Sequence, residues 1–255
     1  MKKISTVLAS LPLITTACGG GGGGSGDSTV NYINTSKTID LSQQKGIWSD
    51  SGTQTYTSPS GKQTTFQAPT GIVTSQEKMI ILTGSSELYV IEPDTDTAHY
   101  FSSFSYSTSI TPTASLSNSN FVFAYYNPKR DANGSVSLPI DGHYDSIIDF
   151  NIFAGTWNDN YATGSSWQFI LATDGSFTAS RSGSCEATGG LSHIDPAKSE
   201  LAVSITFNNN CFPLQGTHTG LAWPAEEDPT GILNVAVYSG LDTSSKGIGW
   251  KLNKQ

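Results

Sequence analysis

The chain has 255 residues, with 21 acidic side chains against 13 basic ones and a formal net charge of −8. Only 13% of the residues are charged, and Ser, Thr, Gly and Asn are abundant. That mix argues against a helical bundle and against a charge-driven disordered chain, and it favours short strands joined by turns. Without a Lys/Arg cluster there is no basic face for phosphates, so no nucleic-acid partner is expected.

Residues 1–17 read as an export signal. Lys2 and Lys3 form a basic start, Ile4 to Ile14 a mostly apolar run, and Thr15-Thr16-Ala17 precede Cys18. The apolar run is shorter than the ~20 residues that a membrane-spanning helix needs. The segment resembles a bacterial lipoprotein signal, with Thr15 where leucine is usual; the alternative is an ordinary secretory signal cleaved near Cys18. The resemblance implies that Cys18 is lipidated, carrying fatty acyl chains such as palmitate. Gly19 to Gly24 and Ser25-Gly26 then form a flexible tether, so residues 18–44 hold a folded part near a membrane. Gly19 is not the aspartate that retains such lipoproteins in the inner membrane, so the resemblance implies the outer membrane of a Gram-negative cell. Losing residues 1–17 removes two lysines and no acid, taking the charge from −8 to −10. An acidic surface repels anionic lipid, which leaves attachment to the acyl anchor.

Residues 45–140 form a first β-module. Gly46-Ile47-Trp48 is a near copy of Gly155-Thr156-Trp157, a short hint of two related modules. Thr53–Ser58 and Lys62–Gln67 flank Ser58-Pro59-Ser60-Gly61 and predict a hairpin. Met79–Thr83 and Glu87–Ile91 flank Gly84-Ser85-Ser86 and predict another. Ala98–Tyr106 and Asn120–Tyr126 read as strands joined by a polar stretch around Thr111–Asn118. Their Tyr and Phe density suits sheet core, with an exposed aromatic binding face as the sharper alternative.

Residues 141–255 form the second module. Tyr144, Ile147, Ile148 and Ile152 recur at helical spacing and predict a short helix from Tyr144 to about Ile152. Then the period changes to two. Trp167, Phe169 and Leu171 share a face, as do Leu201, Val203, Ile205 and Phe207; so do Leu233, Val235 and Val237, and Ile248, Trp250 and Leu252. Turn residues separate about eight such segments, which predicts an eight-stranded up-and-down barrel with no free edge. The fold class is therefore all-β, two β-modules with one short helix between them. Trp157 and Trp250, on the first and last strands, are expected to plug one end of the barrel. With Cys18 acylated, Cys185 and Cys211 remain. In an oxidising compartment they most simply form a disulfide, with free thiols or half a metal site as alternatives. A bridge across 26 positions is worth about 3.5 kcal/mol on the loop-entropy estimate.

Gly-x-Trp after a short helix, followed by an eight-strand meander, resembles the calycin barrels of lipocalins and avidins. The series Gly155-Thr156-Trp157, Asp174-Gly175-Ser176-Phe177, Ser184-Cys185, Gly189-Gly190-Leu191, Ile194-Asp195-Pro196, Asn210-Cys211 and Gly216-Thr217-His218-Thr219-Gly220-Leu221-Ala222 is similar to uncharacterised Gram-negative outer-membrane lipoproteins with tandem β-domains. That likeness implies location and fold, and brings no activity.

Few residues carry a chemical signature. There is no nucleophile elbow and no phosphate loop, and Gly26-Asp27-Ser28 sits in the tether rather than at a strand end. His99, His143, His193 and His218 are not at metal-ligand spacing. Parity turns His218 away from Leu221 and Trp223, which predicts a surface position; His193 lies at a turn. Asp94-Thr95-Asp96 and Glu226-Glu227-Asp228 lack the full calcium-loop pattern and read as turn acids. No catalytic residue, metal or cofactor is expected. Trp223, beside Pro224 at a strand end, is expected to be partly exposed and is the candidate contact for a partner. The reading is a non-enzymatic outer-membrane lipoprotein whose β-domains bind a macromolecular partner in the envelope or at the cell surface. The alternative is a calycin-like binder of a small apolar or sugar ligand in the C-terminal barrel. Filled interior positions, such as Trp167, Phe169 and Phe207, would favour the first.

Overall fold

Alternation of buried and exposed residues organises the early strands of the C-terminal half, and runs buried on both faces its last three. A computed structural model describes residues 41–48, 53–67, 69–83, 87–93, 95, 97–117, 120–128, 131–159, 166–181 and 184–255. Cys18, the signal segment, the tether as far as residue 40, Asp94 and Asp96 lie outside the described residues.

The N-terminal strands are β1 (Gly46–Trp48), β2 (Thr53–Thr57), β3 (Gln63–Gln67), β4 (Pro69–Val73), β5 (Met79–Thr83) and β6 (Glu87–Ile91). They continue with β7 (Ala98–Ser102), β8 (Ser105–Ile110), β9 (Thr113–Ser117), β10 (Asn120–Asn127) and β11 (Ala132–Asp141). They make one antiparallel sheet in the order β3-β2-β11-β1-β4-β5-β6-β7-β8, with β10 paired to β11 and β9 to β10. The sheet curls into a half-barrel. Its concave side buries Trp48, Tyr89, Tyr100, Phe121, Phe123 and Val136 among others.

Both predicted hairpins form, as β2–β3 and β5–β6. Ala98–Tyr106, expected as one strand, is instead a hairpin, β7 and β8, turning at Ser103 and Phe104 with φ of 52° and 68°. Two consecutive positive φ values are the two-residue turn that matches strand twist, but Ser-Phe lacks the Asn-Gly signature that would announce it. The polar joiner around Thr111–Asn118 contains a strand, β9.

Tyr144 to Ile152 is a further correction. Only Phe150–Phe153 (α1) is helical, capped by the Asp149 carboxylate, which accepts from the Asn151 N–H. Tyr144 and Ile148 are buried while Ile147 is 74% exposed and Ile152 50%. Tertiary bonds hold the segment in turns: the Ser199 N–H donates to the Tyr144 carbonyl and the Ser199 hydroxyl to that of Ser146. A single helical turn has no stability of its own to resist them.

The C-terminal barrel follows the expected strands closely: β12 (Gly155–Asp159), β13 (Trp167–Leu171), β14 (Ser176–Arg181), β15 (Cys185–His193), β16 (Leu201–Phe207), β17 (Gly216–Ala225), β18 (Asp228–Tyr238) and β19 (Gly247–Lys254). They close in sequence order, and β12 pairs with β19. All four apolar sets named from the sequence line the interior. A Cβ on Gly220 would stand 1.8 Å from the Ala236 carbonyl oxygen, so only glycine lets β17 and β18 coil this tightly. Cys185 and Cys211 form the expected disulfide, fastening the β16–β17 loop to the start of β15.

The half-barrel and the barrel meet through their outer faces. Ile72, Ile80, Leu82, Leu88, Val90 and Phe101 pack onto Leu221, Trp223, Ala236 and Tyr238. A Cβ on Gly249 would come within 2.2 Å of the Leu82 side chain, so a bare backbone on β19 admits the half-barrel. Trp223 is fully buried here, and its indole N–H donates to the Thr70 hydroxyl at 3.1 Å. Thr70 in turn donates to the Trp48 carbonyl. Partial exposure of Trp223 is thereby corrected: its contact is inside the chain.

Trp223→Ala should cost about 3–5 kcal/mol, the usual range for emptying an aromatic site, read as a lower midpoint in urea. Replacing Cys185 and Cys211 with serine should cost about 3 kcal/mol, with free-thiol titration before and after reduction confirming the bridge in the parent.

Candidate functional site

Three regions of this architecture gather polar or cavity-forming groups: the barrel interior, the concave side of the half-barrel, and the seam between them.

The barrel interior is filled by aromatic rings. Trp167 meets Phe207 and Trp250 edge to face, with centroids 5.6 and 5.7 Å apart, and Phe169 meets Trp250 at 5.2 Å. Beside Trp157, Phe169 and Leu252 remains a cavity of about 20 Å³ with an apolar lining, room for no more than a single water. Trp157 and Trp250 are both buried but occupy different levels. Trp157 stacks on Phe153 and donates its N–H to the Phe153 carbonyl at 2.8 Å, whereas Trp250 lies in register with Val235 among Trp167, Phe169 and Phe207. They fill successive layers instead of plugging one end together. Residues from outside the strands add to the core: Phe150 of α1 and Phe104 of the β7–β8 turn both pack against it.

His218 lies inside this barrel, 1% exposed, its ring edge to face with Phe207 at 5.0 Å. The surface position expected for it is corrected. Parity was right that it opposes Leu221 and Trp223, but those two face the half-barrel, so both sides of β17 are buried there. Neither ring nitrogen of His218 has a side-chain or backbone partner of good geometry. Burial pushes its pKa down, opposed only by the nearby Gly216 backbone. His193, at the end of β15, lies against the Phe150 ring at 4.9 Å, and its Nδ1 is buried without a partner.

The concave side of the half-barrel holds a polar knot. Gln54 donates to the hydroxyls of Tyr56 at 2.8 Å and Tyr125 at 3.1 Å, and Tyr89 bridges Tyr56 and Tyr125 at 3.0 and 2.5 Å. Burial raises the pKa of all three phenols, keeping them protonated as donors. The knot runs on to Glu87, whose carboxylate accepts from the Tyr56 hydroxyl at 3.3 Å, and reads as core structure.

The seam is different. Glu200, fully buried, accepts from the Ser75 N–H at 2.8 Å, from the Ser75 hydroxyl and from the Tyr144 hydroxyl at 2.8 Å. Glu92 accepts from Tyr238 and pairs with Lys78 at 3.0 Å, while Lys78 lies over the Tyr238 ring. Burial, then the Glu92 carboxylate, holds the Tyr238 phenol well above its usual range. Beside these contacts opens a cleft of about 670 Å³. One wall is Gln76 and Lys78 from the β4–β5 turn; the floor is the outer face of β15–β17, with Ser192, His193, Ser204 and Thr219. Its lining mixes the hydroxyls of Ser192, Ser204 and Thr219, the Gln76 amide, the His193 imidazole and the Lys78 ammonium with apolar Ile194, Ala202 and Leu221, without an acidic side chain, in a protein of net charge −8.

Glu227 and Asp228 behave as turn acids: Glu227 pairs with Lys251, and Asp228 accepts from the Thr230 and Gly231 N–H groups. Among the described residues no three His, Cys, Asp or Glu side chains gather as a metal site. No protein-family model, curated protein or solved structure matches this chain.

A histidine whose folded pKa is depressed stabilises the fold above its unfolded pKa of ~6.5 and loses that contribution as pH falls through the folded value. Stability should therefore decline from about pH 6.5 downward. His218→Phe should flatten part of that slope in urea titrations at several pH values. His99, also depressed by burial, should account for a further part.

Proposed function

We propose that this chain is a non-enzymatic, lipid-anchored outer-membrane protein whose paired β-units bind a macromolecular partner in the envelope or at the cell surface. The observation that carries this reading is the contrast between a filled barrel and an open seam. Small-molecule sites are enclosed and of several hundred cubic ångströms, whereas the barrel retains about 20 Å³. That weighs against a calycin-like carrier. The cleft of about 670 Å³ opens at the surface over a mixed floor in which Ile194, Ala202 and Leu221 lie beside Ser192, Ser204 and Thr219, and a protein surface can be pressed against such a floor. Glu200 and Glu92 are engaged in holding the two units together, which supports a structural and recognition role for the seam.

The test is site-specific photocrosslinking in cells. A photoreactive residue at Ser204, in the cleft, should give one discrete macromolecular adduct, and the same residue at Thr178, exposed elsewhere on the barrel, should give none. Equal labelling at both positions, or none at Ser204 together with a small molecule retained by the purified protein in native mass spectrometry, would sink the reading. The anchor is tested separately: Cys18→Ser should abolish fatty-acid labelling and release the protein from the membrane fraction.

A further inference from the structure

An open sheet ends in edge strands, here β3, β8 and β9 among the described residues, and natural sheets blunt such edges with charge, proline or bulges. Among the described residues, β3 pairs only with β2 and forms the end of the sheet path. Its sequence, Gln63-Thr64-Thr65-Phe66-Gln67, carries no charge and no proline, and its register against β2 is unbroken from Thr57↔Gln63 to Thr53↔Gln67. Gln63, Thr64 and Thr65 are exposed. The edge lacks every one of those protections.

The phase of the hairpin fixes which groups face outward. The Ser58 N–H donates to the Lys62 carbonyl across the turn, so residues 58 and 62 are a hydrogen-bonded pair. Hydrogen-bonded and non-bonded pairs alternate along an antiparallel ladder. Thr64 opposite Tyr56 and Phe66 opposite Gln54 therefore bond to β2, while the N–H and C=O groups of Gln63, Thr65 and Gln67 point away from it. An antiparallel copy of β3 centred on Thr65 sets Gln63 against Gln67, Thr65 against Thr65, and Gln67 against Gln63. Every outward group then meets an outward group. The nearest charge, Lys62, falls opposite Ala68, so no like charges oppose each other.

We infer that β3 is a homotypic pairing edge: two copies of this chain join about a two-fold axis through Thr65, and the two sheets become continuous. A partner's own strand could also lie along an edge, but the self-complementary register favours a second copy. Five residues a side bury far less than the ~1,600 Å² of a standard stable interface, so the dimer is weak and concentration-dependent.

Directly opposed residues of a hydrogen-bonded pair have Cα atoms ~5.5 Å apart, within disulfide reach. The Thr65 side chain lies on the exposed outer face beside Thr55, with the hydroxyls 3.5 Å apart, so substitution there leaves the core untouched. The experiment uses the full chain carrying Cys18→Ser, so that the engineered thiol is the only free one. Under mild oxidation at tens of micromolar, Thr65→Cys should give a disulfide-linked dimer at least several-fold faster than Gln63→Cys, whose opposite residue is Gln67. Mixing Gln63→Cys with Gln67→Cys should restore cross-linking. Thr65→Lys, which brings two ammonium groups together at the axis, should weaken the concentration-dependent dimer in sedimentation velocity several-fold while leaving the thermal midpoint unchanged. Equal rates at positions 63 and 65, or no dimer from Thr65→Cys, would overturn the proposal.

Discussion

The burial of Trp223 between two β-units is the constraint on which the rest of the molecule depends. A closed barrel normally turns its outer face to water, and here part of that face is covered by another sheet. Strands on both sides must then be apolar on both faces. This is why Met79-Ile80-Ile81-Leu82 and Leu88-Tyr89-Val90-Ile91 run without alternation: Ile81 and Tyr89 serve the half-barrel core, Ile80 and Leu88 the seam. It also explains bare backbone at Gly249 and the hydroxyl of Thr70, which satisfies an indole N–H that water cannot reach.

Around that apolar contact the seam is tied by carboxylates, one from each unit. Glu200 of the barrel reaches the β4–β5 turn, and Glu92 of the half-barrel reaches Tyr238 of β18. A buried carboxylate is tolerable only when several donors surround it, and Glu200 has Ser75 twice and Tyr144 once. The cleft is a by-product of this arrangement. The β4–β5 turn that delivers Ser75 to Glu200 also raises Gln76 and Lys78 into a wall above the barrel floor.

How far the sequence reveals this depends on which faces see solvent. The barrel strands β13 to β16 alternate, as in the buried-exposed rhythm of Trp167–Leu171, and their inward residues were legible from period two, whereas β18 starts at Asp228, well ahead of the Leu233–Val237 set. The seam strands β4, β5 and β6 of the half-barrel are buried on both faces, so period two fades there, whereas β10 and β11 keep it. Parity identified which residues of β17 oppose each other, yet it has no means of saying that the far side of the strand is covered by a second sheet. The surface position expected for His218 and the partial exposure expected for Trp223 therefore both give way to burial. The β7–β8 turn is the other kind of miss. Phe104 accepts φ of 68°, unusual for a bulky residue, because its ring finds the barrel core and its carbonyl accepts from Gly247. No local pattern encodes a bond to a residue so distant in the chain.

The two Gly-x-Trp segments open their units in the same way. Trp48 donates to the Gln44 carbonyl and Trp157 to that of Phe153, in each case four residues upstream of a buried indole. Considered mechanically, each is a latch that fastens the incoming chain before the first strand begins. A load carried into β1 meets a strand paired on one side with β4 and on the other with β11. Drawn along the strand axis, that load is resisted in shear by two ladders at once.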